Sequence, residues 1–91
     1  MRSPERLAQM CANFERYEQL LAEVEKGLGE DAETIGGYGA SPGDHGFAAM
    51  LKEIAVRLRE DRRIIGEGRK TVSEARRRFE EADDDLAKNF R

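Results

Sequence analysis

Apolar residues recur every three or four positions along two stretches of the chain, from Leu7 to about Ile35 and from Phe47 to Leu86. That period marks amphipathic α-helices, each with one stripe to bury. In the first stretch the stripe is Leu7, Met10, Phe14, Tyr17, Leu21, Val24 and Leu28, widened by Cys11 and Leu20. Its spacings alternate between three and four, the seam pattern of helices packed at shallow angles. Ser3 and Pro4 supply an N-cap and a first-turn proline without the glutamate of a capping box, which places helix 1 at about residues 4–35. Gly27 and Gly29 weaken its later part by about 1 kcal/mol each relative to alanine.

Between the stripes, the run Gly36-Gly37-Tyr38-Gly39-Ala40-Ser41-Pro42-Gly43 reads as the interhelical loop, about residues 36–45. Asp44 is positioned to cap the next helix, about 46–90. Its seam reads Phe47, Leu51, Ile54, Leu58, Asp61, Ile65, Gly68, Val72, Ala75, Phe79, Ala82 and Leu86. The spacing holds throughout, but its content fails at Asp61 and Gly68. A looser waist is expected from Glu60 to Lys70, with Gly66-Glu67-Gly68 as the place for a kink; a true break there would give three helices. The predicted fold is all-α: an antiparallel two-helix hairpin with a long second helix, pairing into a four-helix bundle. Leu7, Phe14, Leu21, Phe47, Leu51, Leu58 and Val72 form its core and dimer seam.

Helix lengths then single out one segment. Residues 4–35 can cover only about as many residues beyond Gly46, so the match is expected to run out near Arg78. Phe79-Glu80-Glu81-Ala82-Asp83-Asp84-Asp85-Leu86-Ala87 projects past it. Negative charge near a helix C-terminus opposes the macrodipole. Glu80 with Asp84 and Glu81 with Asp85 are like-charge pairs at the four-residue spacing. Phe79 and Asp83 lie one turn apart, an aromatic beside a carboxylate on one face. Placement against local preference points to a docking segment, the plain alternative being a solubilising tail.

Composition narrows the function classes. Hydrophobic and charged residues each make up 38% of the 91 residues, the balance of long exposed helices. With an ordering cost of about 1.5 kcal/mol per residue, a lone hairpin gains little from one stripe per helix, so association is expected. The net charge of −3 argues against a general nucleic-acid binder. Arg62, Arg63, Arg69, Lys70 and Arg76 to Arg78 spread around the helix, interspersed with acids. The single Cys11 forms no internal disulfide. No charged start with an apolar run and no stretch of about 20 apolar residues occurs, so neither a cleaved signal peptide nor membrane insertion is expected.

Signals for catalysis are nearly absent. His45, the only histidine, has no cysteine or second histidine at ligand spacing, so neither a metal, a cofactor nor an enzymatic role is expected. Gly66-Glu67-Gly68-Arg69-Lys70-Thr71 lacks the glycine spacing and preceding strand of a phosphate loop.

Phe79-Glu80-Glu81-Ala82-Asp83 resembles the Y-x-x-x-[DE] motif of the small helical-hairpin proteins of type VII (ESX) secretion, and especially the EspC-like ESX secretion-associated group. Pro4-Glu5-Arg6-Leu7, and Ala75 four residues before the aromatic, are also similar to that group. Phe79 stands where the family usually has tyrosine, so the ring is kept and the hydroxyl lost. The chain has no tryptophan for the W-x-G loop of the wider superfamily and offers Gly36-Gly37-Tyr38-Gly39 instead. The resemblance covers nearly the whole chain. It implies a non-enzymatic secretion substrate or targeting partner, made in the cytoplasm and exported as a folded helical dimer. It implies that Phe79 and Asp83 are read by the secretion ATPase, with Glu80, Glu81, Asp84 and Asp85 in support. The expected partners are itself or a second hairpin, and beyond those a larger secreted effector. The alternative is a cytosolic coiled-coil adaptor or antitoxin-like binding module that grips one protein partner through its charged second helix.

Overall fold

In the computed structural model, which describes residues 3–38 and 41–89, the chain forms two long helices, α1 (Ser3–Tyr38) and α2 (Pro42–Asn89). They pack side by side as an antiparallel hairpin. At 1.5 Å per residue the 48 residues of α2 span about 72 Å. That single helix sets the length of the molecule, whose extents are 76 × 16 × 15 Å.

The turn is shorter than the glycine content predicts. Gly36, Gly37 and Tyr38 belong to α1, while Gly39 lies outside the described residues. No described glycine takes a positive φ. Gly36 instead serves close approach, since a β-carbon there would stand 3.8 Å from the Ala48 β-carbon across the hairpin. α2 likewise begins at Pro42 rather than near residue 46. Ser41, not Asp44, is its cap: the Asp44 amide donates to Ser41 Oγ at 3.2 Å and the His45 amide to the Ser41 carbonyl at 3.4 Å. Pro42 fits the first helical position because the amide it lacks has no helical partner there.

The core is thinner than the stripes suggest. Among the described residues the buried ones are Ala32, Ala48, Ala55 and Val72, and no large side chain is fully enclosed. Leu7, Phe14, Leu21, Leu51 and Leu58 line the seam half-buried. Phe47 does not join them; it is 52% exposed, and Ile54, Met10, Tyr17 and Val24 are also exposed. Relative to the predicted seam, α2 is rotated so that Ala48, Ala55, Arg62 and Arg69 turn toward α1 in place of Phe47, Ile54 and Asp61. Two physical reasons favour this. Alanines let the helices approach closely, and Glu18 and Glu25 on α1 meet arginines instead of Asp61.

α2 continues unbroken through Gly66-Glu67-Gly68. These glycines make room for α1. A β-carbon on Gly68 would lie 2.8 Å from Phe14 Cε2, and one on Gly66 2.5 Å from Glu18 Oε1.

The close approaches of Gly36 to Ala48 and of Gly66 to Glu18, with the Glu25–Arg59 hydrogen bond, fix the register. Extended toward the open end, that register brings Phe79 level with Glu5 and Glu81 level with Ser3, the first described residue of α1. Pairing therefore ends near Glu81, a little beyond the expected Arg78, because α1 continues as helix through Gly36, which packs against Ala48.

Candidate docking segment and apolar side

From Ala75 onward the stripe of α2 reads Ala75, Phe79, Ala82, Leu86, and beyond Phe79 the described part of α1 runs out beside it. Every described side chain from Arg76 to Lys88 is exposed, Phe79 at 46%. The shallow hollow around the ring is lined only by α2 residues: Ala75, Arg78, Phe79 and Ala82. Phe79 thus sits at the last layer of the hairpin, bordered by its own helix. Asp83 follows one turn later, exposed, with no ion-pair partner among the described residues.

The acidic neighbours divide into two groups. Glu80 accepts from Arg76 Nε at 3.1 Å and Glu81 from Arg77 Nη1 at 2.7 Å, while Glu74 lies 3.7 Å from Arg77. Intrahelical arginines thus offset two of the charges that looked unfavourable, although exposed pairs of this kind contribute little. Asp84 and Asp85, like Asp83, form no ion pair among the described residues. The charge left uncompensated is concentrated beside Asp83.

A second feature runs along the hairpin. Met10, Tyr17, Leu20 and Val24 on α1, and Phe47, Met50, Ile54 and Ile64 on α2, are exposed. Most of them occupy the position just before an inward-facing one. In an antiparallel pair such positions fall on the same side of both helices. At the loop end this side is directly visible, where Asp31, Tyr38 and Phe47 line one hollow with Ile35 and Leu51. Phe14 and Tyr17 carry the aromatic surface along α1, their ring centroids 5.8 Å apart and tilted by 46°.

The seam itself and its opposite edge carry the ion pairs. Glu25 accepts from Arg59 Nε at 2.8 Å and lies 3.1 Å from Arg62 Nη2; Glu18 accepts from Arg69 Nε at 2.7 Å. The Arg59 hydrogen bond, helped by the nearby Arg62 charge, holds the Glu25 carboxyl below its ordinary range against the opposing effect of partial burial. The Arg69 guanidinium is held further on its charged side, mainly by its hydrogen bond to Glu18. Arg63 bridges Glu60 and Glu67 along α2. Most of the arginines considered as phosphate contacts are therefore engaged with carboxylates.

Among the other candidates, His45 is exposed and Cys11 half-buried in the seam. The described residues contain no grouping of His, Cys, Asp or Glu suited to a metal ion, and no helix is long and apolar enough to cross a membrane. The segment Gly66 to Thr71 is helical. Sequence reasoning missed the crossing ion pairs and the alanine core. The signal was present: Glu18 and Glu25, and Arg62 and Arg69, are each seven residues apart, the repeat of one helix face.

Comparison with protein families, with curated proteins and with solved structures finds no match for this chain.

Proposed function

We propose that the protein is a type VII (ESX) secretion substrate or targeting partner, non-enzymatic, that pairs as a hairpin with itself or a second hairpin into a four-helix bundle. The observation that carries this reading is the Phe79–Asp83 pair, an exposed aromatic and an unpaired carboxylate one turn apart where the hairpin stops. That placement supports docking to secretion machinery by a folded protein, because the pair is presented without any change in the packed region. The acidic run around it suits a basic surface on a partner. In this reading the protein is made in the cytoplasm and exported folded, and a larger secreted effector is a further candidate partner.

The exposed apolar side also suits a cytosolic coiled-coil adaptor, the second reading, since a protein partner would cover it equally well. Export separates the two. Asp83→Ala should abolish export in a host carrying the secretion system while the protein stays folded and abundant inside the cell. Normal export of a folded Asp83→Ala protein would sink the targeting reading and favour the adaptor.

A further inference from the structure

Along the apolar side, the outward positions of α2 read Met50, Ile54, Arg57, Asp61 and Ile64, at spacings of four, three, four and three, and the next, Gly68, is covered by the Phe14 ring of α1. This is a second seam, about a quarter turn away from the one that packs on α1. Asp61 interrupts it and has no ion-pair partner among the described residues; Arg57 has only Glu53, at 3.7 Å. Val24 on α1, level with Asp61 in the register, is also exposed.

We propose that this side binds a second copy of the chain, α2 antiparallel to α2, about a two-fold axis between Arg57 and Asp61, so that Asp61 of each copy meets Arg57 of the other. The proposal rests on the hairpin-pairing part of the function above and commits it to self-association. The reason is that the seam is self-complementary about this point. With the axis there, Asp61 faces Arg57, Ile54 faces Ile64 and Met50 faces the Phe14 ring over Gly68 at the successive layers. A slip of one heptad in one direction sets Arg57 against Ile54 and Asp61 against Met50. In the other it sets Asp61 against Ile64 and Arg57 against the Phe14 ring over Gly68. Either slip covers two charges with apolar partners, which is unfavourable. The one polar layer thus selects the register, as single polar residues do in coiled-coil seams.

This geometry bears on the docking segment. With the axis between Arg57 and Asp61, α2 of the second copy begins opposite Arg76. Phe79, Asp83 and Leu86 lie past its start, so pairing through this side leaves the Phe79–Asp83 surface open.

The test is charge reversal read by sedimentation of the full chain. The wild type should self-associate as a dimer. Asp61→Arg and Arg57→Asp, each alone, place like charges opposite one another and should weaken self-association by more than about tenfold, with helicity unchanged by circular dichroism. Mixing the two variants should restore a dimer containing one copy of each, because every facing pair is then of opposite sign. A monomeric wild type, single variants that dimerise normally, or variants that keep their helicity but fail to associate on mixing would each overturn the interface. The export reading is judged separately. Failure of this rescue with export still dependent on Asp83 removes the interface alone, and successful rescue with Asp83-independent export removes the targeting role alone.

Discussion

The Phe14 ring lies so close to the backbone of Gly68 that a β-carbon there would sit 2.8 Å from Phe14 Cε2. An aromatic side chain on α1 has taken the space that any other residue on α2 would fill. Glycine at this place costs helix propensity and is retained for close approach. Gly29, by contrast, has nothing within 4 Å of its would-be β-carbon.

The two glycines should therefore respond oppositely to the same change. Gly29→Ala should stabilise by about 0.5 to 1 kcal/mol through helix propensity. Gly68→Ala should destabilise by about 1 to 3 kcal/mol, because the Phe14 ring must move. Urea unfolding of both variants decides this, and equal gains at the two sites would remove the Phe14–Gly68 contact from the account.

Acid should loosen the hairpin. Glu25 has its folded-state pKa depressed by Arg59 and Arg62, so its contribution is present above the ordinary glutamate value of about 4.5 and is lost as pH falls through the lower folded value. The thermal midpoint should fall below about pH 4.5, and Glu25→Gln should flatten that fall. An unchanged pH profile in Glu25→Gln would show that other carboxylates carry it.

Ala32 is the most enclosed residue, at 1% exposure. Ala32→Leu should cost about 1 to 3 kcal/mol in chemical unfolding, as overpacking does where helices are close. A cost under about 0.5 kcal/mol would mean that the helices can separate at this layer without loss.

Phe79 tests how the docking segment is read. If the aromatic ring is the recognised feature, Phe79→Tyr should be exported at least as well as the wild type and Phe79→Ala should not. Exposed substitutions usually change stability by less than about 0.5 kcal/mol, so thermal unfolding should barely distinguish Phe79→Tyr from the wild type. Equal export of the alanine variant would remove the ring from the signal.

The sequence alone determined the two helices, their antiparallel return and the long α2. Repeats of three and four are dictated by the helix itself, and the glycine and proline run from Gly36 to Gly43 marks where the chain returns, although α1 ends only at Tyr38 and α2 already begins at Pro42. What it left open was the rotation of each helix about its own axis. The apolar band on α2 is wide enough to offer both Phe47 with Ile54 and Ala48 with Ala55 to α1, and hydrophobicity alone favours the larger pair. Tertiary structure chose the alanines, because close approach and the meeting of Glu18 and Glu25 with Arg69 and Arg62 are satisfied in one rotation only. The same choice turned Phe47, Ile54 and Asp61 outward and so created the apolar side. The docking segment was legible as a pattern. Where pairing ends relative to Phe79 and Asp83 was not, since that depends on a register fixed by contacts between residues as distant in the chain as Glu18 and Gly66.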